Sequence, residues 1–170
     1  MPIRTYGLFW QRDEVLWRPG AGNGGFKLLG RRGERNPNLR VADFRAQKGL
    51  YALHSAYGAY YVGLVSRGGL GNRLKQHLND DHGKAWDRFS WFGFRPVLKG
   101  VDKRGYCQLR ELASLNADES MSAIKDMEAL LINVMNPPGN ERWMNFTNAE
   151  RWEQLGADDE ARYRRRLGVD

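Results

Sequence analysis

The sequence predicts an α+β protein whose sheet forms in the middle of the chain. Apolar, tyrosine-bearing runs at Gly49–Leu53 and Tyr60–Val65 flank a turn around Ser55–Gly58, which reads as a hairpin. The aromatic run Phe89–Leu98 supplies a further strand, and two stretches, at 70–79 and about 124–134, repeat apolar residues at helical spacing. At 170 residues and 41% hydrophobic content the chain has room for one domain with extensions and a real core. It divides into a β-rich N-terminal extension with a basic linker (1–46), a central domain (47–145) and a basic helical tail (146–170).

In the extension, Ile3–Trp10, Glu14–Trp17 and Phe26–Leu29 are short aromatic and β-branched runs that read as strands. The segment Gly20–Gly25 fits G-x-G-x-x-G, but a phosphate-cradling loop must open a helix, and the run after it is too short to be one. A flexible hairpin tip is the better reading. Phe9, Trp10 and Trp17 are candidates to grip nucleic acid, or else simply core. Gly30–Arg40, with Arg31, Arg32 and Arg35, reads as an exposed linker able to lie on phosphate.

The two strands of the hairpin are apolar on both faces, so they belong in the centre of a sheet covered on both sides. Leu70, Leu74 and Leu78 mark an amphipathic helix over about 70–79, with Arg73 and His77 on its other faces. Pro96 argues against full ladder pairing near the end of the Phe89–Leu98 strand, and a return strand follows the turn at Asp102–Gly105. The second helix, capped by Asp118 or Ser120, carries Ile124, Met127, Leu131 and Val134 and ends at Pro137-Pro138-Gly139. The tail is expected to form one or two short helices with a basic face.

The net charge of +7 points to phosphate as the partner chemistry, either nucleic acid or an anionic surface. No window approaches the roughly 20 apolar residues of a spanning helix, and Met1–Leu16 lacks a signal-peptide core, so no membrane role and a cytoplasmic location are expected. The single cysteine, Cys107, excludes an internal disulfide and a cysteine-cluster zinc site.

Several residues could carry chemistry. Glu128 falls between Ile124 and Leu131 on the predicted packing face, so it needs a cation, a proton or a metal. Arg73 and His77 stand one turn apart and could meet one phosphate, or simply form a solvated basic face. His77 and His82, with Asp80 and Asp81, could form a metal cluster, but their i, i+5 spacing fits one helix face poorly. Tyr51 and Tyr61 are core residues unless nearby cations favour a phenolate, which a general base at neutral pH requires.

Taken together, Gly49-Leu50-Tyr51, Tyr61-Val62-Gly63, Arg73 with His77, Glu128 and Asn140 occur in an order that resembles the GIY-YIG nuclease family, over residues 47–145. Leu50 and Val62 stand where the family has isoleucine, and the Tyr61 to Arg73 spacing is about two residues longer than usual, which makes Arg67 a rival to Arg73. The resemblance implies a small three-stranded antiparallel sheet flanked by helices and a metal-dependent endonuclease. It implies one divalent cation, magnesium or another such as manganese, held by Glu128. Tyr51 would be the general base, Arg73 would neutralise charge on the phosphate, Tyr61 and His77 would hold these groups, and Asn140 would orient the site. Arg31, Arg32, Arg67 and Lys75 are expected to meet nucleic acid, DNA first and RNA second. His54 is read as incidental. A double-strand break by a one-metal site requires two sequential cuts, a homodimer or a larger complex. The alternative is a non-catalytic nucleic-acid-binding or scaffolding protein that retains the fold.

Overall fold

The structure, a computed structural model, describes residues 3–17, 25–65, 68–111, 126, 129–130, 133–135, 145–146 and 148–169. Its strands are β1 (Thr5–Gln11), β2 (Leu29–Arg32), β3 (Arg40–Asp43), β4 (Gly49–Ser55), β5 (Gly58–Val65), β6 (Arg88–Gly93), β7 (Val97–Val101), β8 (Cys107–Leu109), β9 (Glu150–Arg151) and β10 (Glu153–Gln154). They form two five-stranded mixed sheets, ordered β5-β4-β6-β1-β9 and β10-β2-β3-β8-β7. Helices are short: α1 (Leu70–Gln76), a 3-10 turn (Ala157–Asp159) and α2 (Glu160–Leu167). Asp126, Ala129, Leu130 and 133–135 are also helical. No helix among the described residues is long and apolar enough to cross a membrane.

The hairpin β4–β5 forms where the apolar runs place it, with Tyr51 opposite Gly63 and Gly49 opposite Val65, but only β4 is central: β5 is an edge strand that leaves Tyr60 and Val62 exposed. On its other side β4 pairs antiparallel with β6. Because successive side chains of a strand point to opposite faces, β4 serves two cores. Tyr51 and Leu53 join Leu70 and Leu74 of α1 and Trp10, Phe44, Phe89 and Trp91 in one. Ala52 joins Tyr6, Phe92, Phe146 and the helical residues Ala129, Leu130 and Val134 in the other. Gly49 is required by close approach: a Cβ there would lie 1.9 Å from the Phe92 carbonyl oxygen, and its φ of 150° favours glycine.

The sheets meet through aromatic rings. Trp10 of β1 stacks edge-on against Trp91 at 5.4 Å and Phe44 at 6.0 Å, and Phe44 contacts Trp152 at 5.1 Å. Trp152 is the single residue between β9 and β10, so the chain leaves the first sheet and enters the second across one buried indole. Such ring pairs contribute about 0.5–1.5 kcal/mol each beyond their burial.

This architecture corrects the expected fold class. In place of a small three-stranded sheet flanked by helices there are two five-stranded sheets, with few and short helices among the described residues. The N-terminal run is an inner strand, since β1 lies between β6 and β9. The tail expected to be helical contributes β9 and β10 before α2 begins. These strands are two residues each, too short for any period-2 signal. The basic linker contributes residues to β2 and β3, with Arg31 opposite Val41. Pro96 separates β6 from β7, which turns away into the other sheet. Trp10, 2% exposed, is core and does not face a ligand.

His54 lies buried on β4, with Nε2 2.8 Å from the Ser90 hydroxyl and its ring 4.7 Å from that of Phe9. Phe9 has a φ of 54° at a bulge in β1, where its N–H donates to Ser90 Oγ at 3.0 Å. Burial, aided by Arg88, pushes the His54 pKa down to about 4.

Two outcomes are expected. Gly49→Ala should lose at least about 3 kcal/mol of stability in chemical denaturation, because the clash is with backbone rather than with a side chain that can turn aside. His54 is neutral in the folded state to about pH 4 but protonates near 6.5 when unfolded. Its contribution, on the order of 3 kcal/mol, is therefore complete above pH 6.5 and lost as pH falls toward 4. Denaturation of wild type and His54→Gln between these pH values measures it.

Candidate active site

The site is assembled where α1 packs on the face of the hairpin that carries Tyr51. The first N–H groups of α1 lack side-chain caps but are met by neighbouring carbonyls: Leu70 N–H donates to Gln47 O at 2.9 Å and Gly71 N–H to Arg45 O at 3.0 Å. Burial of Leu70 and Leu74 then fixes the rotation of the helix. Arg73 is left exposed, and His77, the C-cap residue, points inward. Trp86 holds the end of the helix by donating its Nε1–H to the His77 carbonyl at 3.2 Å.

Tyr51 crosses the strand pair over Gly63, where a Cβ would lie 2.4 Å from the Tyr51 hydroxyl. The glycine of Tyr61-Val62-Gly63 therefore makes room for the tyrosine of Gly49-Leu50-Tyr51. The Tyr51 hydroxyl lies 2.8 Å from His77 Nε2, and His77 Nδ1 lies 2.7 Å from Asp80 Oδ2. A carboxylate only accepts, so Asp80 fixes the proton on Nδ1, leaves Nε2 as acceptor and makes Tyr51 the donor. Arg73 and Tyr61 both act on the Tyr51 phenol, the guanidinium favouring its ionised form and Tyr61 opposing it, while Arg73 Nη1 donates to Gln76 Oε1 at 3.1 Å. The Tyr61 ring packs 5.9 Å from Tyr51, 5.3 Å from His77 and 4.8 Å from His82.

Burial pushes the Tyr51 pKa up to about 12, outweighing the downward pull of Arg73, while Tyr61 adds to the rise. Burial likewise lowers that of His77, against the pull of Asp80. In Asp80, desolvation works upward, but bonds from the His82 N–H and His77 hold the carboxyl below its ordinary value. At neutral pH the cluster is thus a neutral phenol and a neutral imidazole beside a carboxylate and a guanidinium. Tyr51 carries no standing phenolate.

Of the residues expected in the site, Tyr51, Tyr61, Arg73 and His77 come together. Glu128, Asn140 and Arg67 lie outside the described residues, as do Gly20–Gly24 of the glycine-rich loop. The helical residues Ala129, Leu130 and Val134 pack with Ala52, on the sheet face opposite Tyr51. Lys75 stands on α1, with Nζ 5.3 Å from the Phe26 ring. Arg31 and Arg32 are on β2 in the other sheet, ion-paired to Glu153 and Glu150. Tyr51 is 1% exposed and Tyr61 half-buried, so the water-facing phenol is Tyr61.

Asp80 and His82 are named with His77 in the sequence as a possible ligand set, disfavoured because i, i+5 spacing fits one helix face poorly, whereas α1 stops at Gln76 and the turn brings His82 back toward His77. The turn residues Asn79-Asp80-Asp81 and Gly83 were the available signal. His77, Asp80 and His82 form a group whose ligand atoms lie within 4.8 Å of one another. Two imidazoles and one carboxylate suit zinc-like ions better than magnesium, which prefers an all-oxygen shell. This group is therefore a poor match for magnesium.

Comparison with protein-family models, with curated proteins and with solved structures finds no match for the chain.

The Tyr51 environment is open to direct measurement. Alkaline titration by ultraviolet absorbance should show a phenol that ionises only near pH 12 and is missing in Tyr51→Phe. Arg73→Ala should move it higher still, since the guanidinium is what draws it down.

Proposed function

We propose that this protein is a metal-dependent endonuclease that hydrolyses phosphodiester bonds in DNA, with Tyr51, Tyr61, Arg73 and His77 in its active site. The observation that supports this reading is the convergence of those four side chains, drawn from β4, β5 and α1, in one hydrogen-bonded cluster. The +7 charge supports a polyanionic substrate.

Arg73 is exposed, lies close enough to both tyrosines to act on Tyr51, and is steadied by donation to Gln76 Oε1 at 3.1 Å, so its guanidinium is available to a phosphate oxygen. An attacking water gives its proton to the Tyr51 hydroxyl as Tyr51 gives its own to His77 Nε2, and the Tyr61 ring packs beside both. Asp80 holds the acceptor lone pair in place and stabilises the imidazolium that results. No phenolate has to stand at rest, so a phenol pKa of about 12 is compatible with the transfer. Water oxygen bonds to phosphorus as the opposite ester bond breaks, and Arg73 neutralises the charge that develops. Glu128 is the residue proposed to hold magnesium or manganese, which when bound supplies charge neutralisation on the phosphate and leaving oxygen. Asn140 is proposed to orient the site. Lys75, turned toward Phe26 two residues further along α1, is proposed as a separate contact to nucleic acid. DNA is the proposed substrate, RNA the second choice, in the cytoplasm.

The test is cleavage of single-stranded, duplex and branched DNA and RNA with magnesium. Arg73→Ala, Tyr51→Phe and Glu128→Ala should each lower the rate at least ~100-fold. Wild type and Glu128→Ala that are equally inert, yet bind nucleic acid equally well, would replace this reading with a non-catalytic binding protein.

A further inference from the structure

We infer that His77 Nδ1, Asp80 and His82 bind a borderline first-row divalent ion of the zinc class, at a site separate from the magnesium position proposed for Glu128. Their donor atoms already lie within 4.8 Å of one another. A tetrahedral ion with bonds of about 2.0–2.1 Å needs its donors roughly 3.3 Å apart. His77 Nδ1 and Asp80 Oδ2, at 2.7 Å, have to part slightly, and His82 has to approach. Asp80 is exposed and His82 partly so, which lets these side chains move.

The rest of the site is held as metal sites require. His77 is anchored by Trp86 at its carbonyl and by the Tyr51 oxygen at Nε2, an outer partner of the kind that orients a ligating imidazole. The His82 ring is flanked by His77 at 5.1 Å and Tyr61 at 4.8 Å, and Asp80 Oδ1 accepts the His82 N–H at 3.0 Å, tying both ligands into one turn. Three protein donors leave a fourth position on the solvent side for water. Arg73 opposes a second cation here, and the Asp80 carboxylate offsets it.

The ion takes the lone pair of His77 Nδ1, and the single ring proton moves from Nδ1 to Nε2 by exchange with solvent, so none is released. Nε2–H then donates to the Tyr51 oxygen, and the hydrogen bond between them reverses. In the proton relay proposed above, this leaves Tyr51 without an acceptor, and zinc inhibits. That consequence rests on the nuclease reading; the binding does not.

Cobalt(II) titration of the purified full-length protein tests it. The expected result is a visible d–d spectrum that saturates at one cobalt per chain and is displaced by zinc but not by magnesium. His82→Ala and Asp80→Ala should each weaken binding at least ~10-fold, while Glu128→Ala leaves it unchanged. No saturable spectrum, or equal binding by wild type and His82→Ala, overturns the inference. His82→Ala keeps the Asp80 turn, so its result does not depend on a damaged fold. A protein that binds cobalt as expected but cuts no nucleic acid retains this site and loses the nuclease reading.

Discussion

Strand β4 is buried on both faces, and the placement of every other functional group follows from that constraint. One residue of slip would exchange Tyr51 with Ala52 and put a phenol where the helix bearing Ala129 packs. Two glycines keep the register unique. Gly49 lets β6 approach, and Gly63 accepts the ring of Tyr51. With the phenol aimed at the face that α1 covers, the burial of Leu70 and Leu74 is sufficient to bring His77 to it.

The cluster that results uses low polarity to order protons more than to shift them toward reactivity. Tyr51 is held more firmly protonated than a free phenol, and His77 more firmly neutral than a free imidazole. Direction comes from Asp80, whose carboxylate decides which ring nitrogen carries hydrogen and so which way the Tyr51 bond points. Arg73 supplies the opposing charge on the exposed side.

The hairpin and the first helix were legible because their patterns are local: apolar runs around a turn, then leucines every fourth residue. The tyrosine cluster was legible only through the order of its motifs, since Tyr51 and His77 make their bond across a fold no local pattern describes. Sheet membership was not legible. β9 and β10 contain two residues each, and β2 and β3 carry Arg31, Arg32 and Arg40, whose charge is answered by Glu150 and Glu153 from more than a hundred residues away. The reach of α1 was overestimated because Leu78 continues the leucine spacing past the end of the helix, and that error concealed the fit of His82.

Trp152, alone between the strands it connects, sets a condition on how the molecule folds. β9 pairs with β1 and β10 with β2, contacts that span well over a hundred positions of chain. The first sheet is incomplete until residue 151 is available and the second until residue 154, and closing such long loops is slow. The last strand of one sheet and an edge of the other therefore dock together, so the two sheets reach their final pairing in a single cooperative event rather than as independent halves.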